Sequence, residues 1–197
     1  MPDTVTVPSD RSPAPPITTR YDRALRGMIA GGIGGLLAGG TKILGEVIYP
    51  PRQPGDPIPP EVMVSRLTEY LSGSPLQAEH ATLAIQSVHW LFSLGVGITY
   101  GLIAEFWGKA TAFWGLGFGM VLLLLTHETT LPLLGLSNSW AEMPLQEHLS
   151  EIFTHAIFGV TAEMTRRFLR TKWLGQAQLS LTGAAPAAKI HPFDRAA

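Results

Sequence analysis

Cysteine is absent from the 197 residues, which excludes disulfides, thiolate metal ligands and a cysteine nucleophile. Charge is scarce as well. Asp, Glu, Lys and Arg make up 15% of the chain, against roughly 25% in a soluble domain. Net charge is −1, so no basic field marks nucleic acid as a partner. The first 20 residues hold no apolar core, and a cleavable signal peptide is not expected. Neither HExxH nor Gly-x-Ser-x-Gly occurs, so nothing points to a zinc or serine hydrolase, and no enzyme activity is indicated.

What remains is hydrophobic. Mean hydropathy is +0.20 although both ends are polar, so the middle is strongly apolar. The expected fold is all-α: an integral membrane bundle of four transmembrane helices, its partner the lipid bilayer. Residues 1–22, rich in Pro, Ser and Thr, read as a disordered cytoplasmic arm. Residues 173–197 read as a disordered cytoplasmic tail, and residues 23–172 as the membrane domain. Spans are placed at about 24–47, 81–107, 110–126 and 145–169; the first, at 1.5 Å per residue, is long enough for a hydrocarbon core of about 30 Å.

Gly27, Gly31, Gly35 and Gly39 recur every four residues and form a ridge on the first span. Such ridges let backbones approach closely in lipid, so this one is a candidate surface for a homo-oligomer or for packing within the chain. Pro50, Pro51, Pro54, Pro57, Pro59 and Pro60 keep the following loop irregular. A short external amphipathic helix, Glu61 to Ser72, is expected next, ended by Gly73. Its Val62, Met63, Leu67, Tyr70 and Leu71 are assigned to the membrane surface. Ser74, Pro75 and Gln77 read as a capping box for the second span, and Gly108-Lys109 as a tight turn into the third. Pro132 and residues 135–144 make a second external loop, with Trp140 at the interface.

Basic residues set the orientation. With the amino terminus inside, Arg11, Arg20, Arg23, Arg26, Lys109, Arg166, Arg167, Arg170, Lys172, Lys189 and Arg195 are internal, and only Arg52 and Arg66 are external. The positive-inside rule therefore places both termini in the cytoplasm.

Ionisable groups within spans are rare and costly, roughly 2.5–3.5 kcal/mol each at mid-helix. This chain concentrates them in the outer half of the bundle. Lys42 and Glu46 are four apart on one helix face and can pair. Gln86, His89, Ser93 and Tyr100 share a stripe on the second span; taken alone, His89 reads as bonded to a neighbouring helix. Thr126, His127 and Glu128 end the third span and, taken alone, read as a solvated end. On the fourth, Glu147, Glu151 and His155 follow at i, i+4 and i+8, His148 joins that face, and His155 lies roughly 15 Å below Leu145. Glu105 and Glu163 lie toward the inner ends, where Glu163 has Arg166 and Arg167 as structural partners.

Several stretches carry a resemblance: Lys42-Ile-Leu-Gly-Glu46 with Pro50-Pro51-Arg52; His89-Trp-Leu-Phe92-Ser93 with Tyr100 and Ala104-Glu105; His127 with Pro132-Leu133 and Gly135-Leu136; and Glu147, Ser150-Glu151-Ile152-Phe153, His155, Glu163 and Arg166-Arg167. In this order, over about residues 25–170, they resemble the YagU family of bacterial inner-membrane proteins, a domain of unknown function. The resemblance implies a multi-pass protein of the bacterial inner membrane and supplies no activity.

Three functions fit these residues. Lys42, Glu46, His89, His127, Glu128, Glu147, Glu151 and His155, converging beneath the external loops, form a candidate site for proton, pH-linked or cation handling. His89, His148, Glu151 and His155 are alternatively ligands for a divalent cation such as Zn, Mn or Fe, although their spacing departs from the Glu-x-x-His pattern of helical di-metal proteins. Lastly, the polar groups serve only as interhelical bonds in a structural or partner-binding protein. Such bonds contribute about 0.6 kcal/mol on average, which explains single residues better than eight clustered ones.

Overall fold

The computed structural model describes residues 19–173. The arm at 1–18 and the tail at 174–197 lie outside the described residues. Residues 20–22, assigned to the arm, belong instead to the first helix, α1 (Arg20–Ile48). Thr19 and Asp22 cap it reciprocally: the Asp22 amide donates to Thr19 Oγ1, and the Thr19 amide donates to the Asp22 carboxylate, both at 3.1 Å. This satisfies amides that the first helical turn leaves unbonded. Helix α2 (Pro59–Ser72) starts on two prolines and ends on Gly73 at φ 67°, the left-handed conformation that glycine adopts without strain.

Helix α3 (Ala78–Phe106) begins without a side-chain cap. The expected capping box at Ser74 and Gln77 is therefore not formed; Gln77 is itself the flanking residue and offers no short oxygen to the turn. The tight turn at Gly108-Lys109 is also replaced. Residues 108–115 form an irregular 3-10 segment in which Phe113 and Trp114 have φ of 52° and 58°, costing of order 1–3 kcal/mol each. Helix α4 (Leu116–Leu125) starts only after Gly115, not at Ala110. A π turn over Thr126–Thr130 follows, then a single turn, α5 (Leu131–Leu133). Pro132 lacks the amide that would bond the Glu128 carbonyl in an α-helix, and the widened turn lies immediately before it. The Thr129 and Thr130 hydroxyls donate to the carbonyls of Leu124 and Leu125 at 2.7 and 2.6 Å. In the second loop Ser139 caps a short turn, and its amide and hydroxyl hold the Glu142 carboxyl below the usual carboxylate range. Helix α6 (Leu145–Phe168) completes the bundle.

All of the regular structure among the described residues is helical. Arg20–Ile48, Ala78–Phe106 and Gly108–Leu133 are each long and apolar enough to cross a membrane. The fourth expected span, α6, is not among them by composition, because Glu, His, Gln and Arg dilute its apolar residues. Its 24 residues nevertheless reach about 36 Å. Its polarity is turned inward: Glu147, Ser150, Glu151, Thr154, His155 and Glu163 are buried, while Leu149, Ile152, Phe153, Met164 and Phe168 are exposed.

Helix α1 packs against both α3 and α6, and α4 packs on α6, with Phe118 stacked on Tyr100 of α3 and Leu122 in one core with Ala38 and Phe158. Glycine decides the two closest crossings. The expected ridge of Gly27, Gly31, Gly35 and Gly39 meets Gly97, Gly101 and Ser93 of α3 in the same chain, so that ridge is not an open surface for a second copy. A second glycine contact, missed in the sequence, joins α4 to α6. A Cβ on Gly119 would collide with the His155 carbonyl oxygen, and one on Gly159 with that of Gly115.

Replacing Gly31 by Leu should therefore part α1 from α3. Overpacking typically costs about 1–3 kcal/mol, read as earlier thermal unfolding in detergent. Gly95→Leu is the control, since nothing lies within 4 Å of a Cβ there, and it should unfold like the wild type.

Candidate functional site

One end of the bundle gathers the last turns of α1, the middle turns of α3 from Ile85 to Ser93, the first half of α6 and the π turn after α4. They enclose a cavity of about 530 Å³, roofed by Ile58, Pro59, Pro60 and Met63. Its polar wall includes Lys42, Glu46, Arg52, His89, His127, Glu151 and His155. The loop after α1 is tied down by α6, because Ser150 Oγ donates to the Tyr49 carbonyl and Gln146 Nε2 to that of Pro50 at 2.9 Å. That tether brings Arg52 over the cavity. Helix α2 is tied to the second loop by Arg66, which donates to the Leu134 carbonyl at 3.1 Å.

Glu151 is the centre of the site, with its side chain only 2% exposed. Lys42 Nζ lies 3.2 Å from its Oε2, Arg52 Nη1 3.9 Å from its Oε1, His127 Nδ1 3.3 Å from Oε1 and His155 Nδ1 3.4 Å from Oε2. Lys42 also donates to Glu46 and lies 3.4 Å from Thr154 Oγ1. Arg52 donates to Glu147. His155 Nδ1 donates to the Glu151 main-chain carbonyl at 2.8 Å, which fixes Nδ1 as the protonated nitrogen of the neutral ring and leaves the lone pair on Nε2. His127 meets His155 edge to face, ring centres 5.0 Å apart. The buried His127 Nδ1 forms no well-directed hydrogen bond despite the nearby carboxylate.

Six of the eight candidate residues thus share one connected wall: Lys42, Glu46, His127, Glu147, Glu151 and His155. His89 lines the same cavity from α3, where its Nε2 donates to the Gly39 carbonyl at 3.3 Å. Glu128 is apart. It pairs with His148, Oε1 to Nδ1 at 3.5 Å, while His148 Nε2 donates to the Trp140 carbonyl at 3.1 Å. The expected metal set of His89, His148, Glu151 and His155 is not assembled. The group close enough to hold one ion is His127, Glu151 and His155, whose donor atoms all lie within 4.8 Å of one another. His148 is instead engaged by the Trp140 carbonyl and Glu128, and His89 by the Gly39 carbonyl. Nor are Thr126, His127 and Glu128 a solvated end: all three lie on the π turn and are half-buried or better. Arg52 was missed as a site residue. Its signals were its place in the resembling stretch Pro50-Pro51-Arg52 and a lone basic group beside a proline run.

The opposite end carries a separate ion cluster. Fully buried Glu163 accepts from Tyr100 Oη and Arg166 Nε, both at 2.7 Å, and from Arg167, so its spacing from the two arginines was a true guide. Glu105 accepts from Arg170 Nε at 2.6 Å, and Arg23 donates to the Glu105 carbonyl at 2.7 Å.

The model of a family described as "Protein of unknown function (DUF1440)" matches residues 36–164, and the chain belongs to that family. It is also 29% identical, over 186 residues, to the inner membrane protein YagU of Escherichia coli (strain K12), covering 80% of this chain and 89% of that protein. The sequence resemblance to YagU is thereby borne out. No solved structure matches.

Breaking a buried pair by removing one partner costs about 3–5 kcal/mol. Glu151→Gln should therefore lower stability by about that amount, since it leaves Lys42 and Arg52 facing a neutral group. The double variant Glu151→Gln with Lys42→Gln should recover part of the loss. Denaturant or thermal unfolding of wild type, Glu151→Gln, Lys42→Gln and the double variant measures the coupling.

Proposed function

We propose that this DUF1440 protein is a multi-pass protein of the bacterial inner membrane, with four spans and both termini in the cytoplasm, and that its chamber takes up a cation from the outer side. The location rests on the printed name of the Escherichia coli relative and on the apolar helices. The fourth span is α6, whose exposed face is apolar and whose polar face is inward; intramembrane charge belongs on such an inward face. The orientation rests on the excess of Lys and Arg in the segments placed inside. It makes α2 an external helix and turns the chamber outward.

One observation carries the cation. Lys42 and Arg52 line the cavity with three carboxylates, those of Glu46, Asp56 and Glu151, and with the imidazoles of His89, His127 and His155; a fourth carboxylate, Glu147, pairs with Arg52. With neutral histidines the chamber and its rim hold more negative than positive charge. In a poorly solvated enclosure that excess favours a mobile positive ion. A proton on the same imidazoles is the competing occupant. Interhelical bonding alone leaves the cavity itself without a purpose.

Two measurements test this. Because the chain has no cysteine, single cysteines at Asp56, Ser137 and Lys109 can be labelled in intact cells with a membrane-impermeant maleimide. Asp56→Cys and Ser137→Cys should react at once, and Lys109→Cys only after lysis; the reverse pattern would overturn the orientation. For the chamber, purified protein is titrated calorimetrically with monovalent and divalent cations, and proton uptake is followed separately. Cation binding should occur and weaken at least tenfold in Glu151→Gln. Proton uptake without any cation binding would assign the chamber to protons, and neither signal would leave the groups as bundle bonds only.

A further inference from the structure

Resting on that cation reading, we infer that the occupant is a transition-metal dication held by His127, Glu151 and His155, and that Lys42 is a tethered cation that holds the place until the ion arrives. The donor set gives the metal class. Two imidazoles and one carboxylate suit Zn, Fe, Mn or Co, with positions left for water or another ligand. Calcium and magnesium take oxygen ligands almost throughout. Each of the three residues offers a donor atom, and these lie within 4.8 Å of one another, so modest side-chain rotation closes them on one ion.

Two further observations point to a ligand. First, His127 Nδ1 is buried and has no hydrogen bond. The Glu151 carboxylate 3.3 Å away is poorly directed for a hydrogen bond; an unsatisfied buried nitrogen is unfavourable, and a metal ion shared with that carboxylate would relieve it. Second, the tautomer of His155 is fixed. Its Nδ1 is held by the Glu151 carbonyl at 2.8 Å, the kind of contact that fixes the tautomer of metal-bound histidines and presents the other nitrogen. The cavity beside the three residues provides room for an incoming ion and its remaining waters.

Lys42 explains how Glu151 is kept neutralised meanwhile. Its ammonium sits 3.2 Å from Glu151 Oε2 and bonds Glu46 at the same time. Glu46 lies one turn further along α1 with its side chain 32% exposed, whereas Glu151 is 2% exposed. A dication at Glu151 repels the ammonium, and Glu46 is the seat to which it can withdraw. Arg52 keeps its bond to Glu147 throughout. Binding is then an exchange of one cation for another, with Lys42 as the internal competitor.

The test uses full-length protein in detergent, stripped with chelator and titrated with Zn(II) and with Co(II), whose visible spectrum reports nitrogen ligation. Wild type should bind one dication per chain. His127→Gln and His155→Gln should each weaken binding by more than the roughly 10–100-fold that loss of a supporting residue causes. Lys42→Met should tighten it by about tenfold, because the competitor is gone. Glu46→Gln should weaken it, because the ammonium loses its second seat. Thermal unfolding of each variant shows that it is folded, and a histidine variant that fails to fold is replaced by Co(II) spectroscopy of the wild type, which must show nitrogen ligands. Binding of other cations with no Zn(II) or Co(II) uptake would overturn the metal assignment while leaving the cation chamber standing. No cation of any kind would overturn both. Metal binding that is unchanged or weakened in Lys42→Met would overturn the role given to Lys42.

Discussion

A charge carried into hydrocarbon finds no water to solvate it, so its counter-charge must come from the protein. Helix α6 brings Glu147, Glu151 and Glu163 into the bundle; the first two are answered from other elements, Glu163 by two arginines of α6 itself and by Tyr100, while Glu105 of α3 pairs with Arg166 and Arg170. Arg52 of the first loop bonds Glu147, Lys42 of α1 bonds Glu151, and Tyr100 of α3 with two arginines surrounds Glu163. Neutral interhelical hydrogen bonds contribute only about 0.6 kcal/mol on average, whereas stranding a buried charge costs about 3–5 kcal/mol. The charged pairs, not the neutral bonds, therefore set which faces of α1, α3 and α6 meet. The two ends are pinned separately, by Glu151 at one and by Glu163 with Glu105 at the other.

Close backbone approach makes that pairing possible. Lysine and glutamate reach only a few ångströms beyond their helix surfaces, so the helices must lie near one another for their heads to touch. Gly31 and Gly97 allow it between α1 and α3, and Gly115, Gly119 and Gly159 between α4 and α6. The second crossing seats α4 against His155, and the π turn then carries His127 inward toward Glu151. Each glycine weakens its helix intrinsically by about 1 kcal/mol. The loss is tolerated because a helix in lipid has no better-bonded alternative.

The helical class, the first two long helices and the inward stripe of α6 were legible because period and length dominate those segments. Glycine at every fourth position announced a close contact, but a repeat cannot name its partner, and α3 of the same chain proved to be that partner. The Glu151–His155 step was legible from i, i+4 spacing. The place of His127 was not, since it depends on a π turn before Pro132, and an α-helical wheel misassigns any residue beyond such a turn. His148 was misplaced for a related reason. Its position on the wheel adjoins Glu151, yet the Trp140 carbonyl on the preceding loop captures its ring. Arg52 was invisible because its reach depends on how Ser150 and Gln146 hold the loop backbone. Local period survives translation into structure; contacts made through loops do not.

A site that contains its own cation separates folding from function. Were Glu151 left bare, the bundle would need an external ion before α1 and α6 could pack, and the protein would be unstable whenever that ion was scarce. With Lys42 in place the carboxylate is compensated from the moment the helices meet. The same ammonium then sets a threshold, because an incoming ion must outcompete a group held at high effective concentration by its tether. A monovalent ion matches Lys42 only in charge and gains nothing from the two imidazoles. A transition-metal dication brings twice the charge and uses both nitrogens. In the proposed exchange, selectivity arises from the resident lysine as much as from the ligands, and the half-buried Glu46 keeps the exchange reversible.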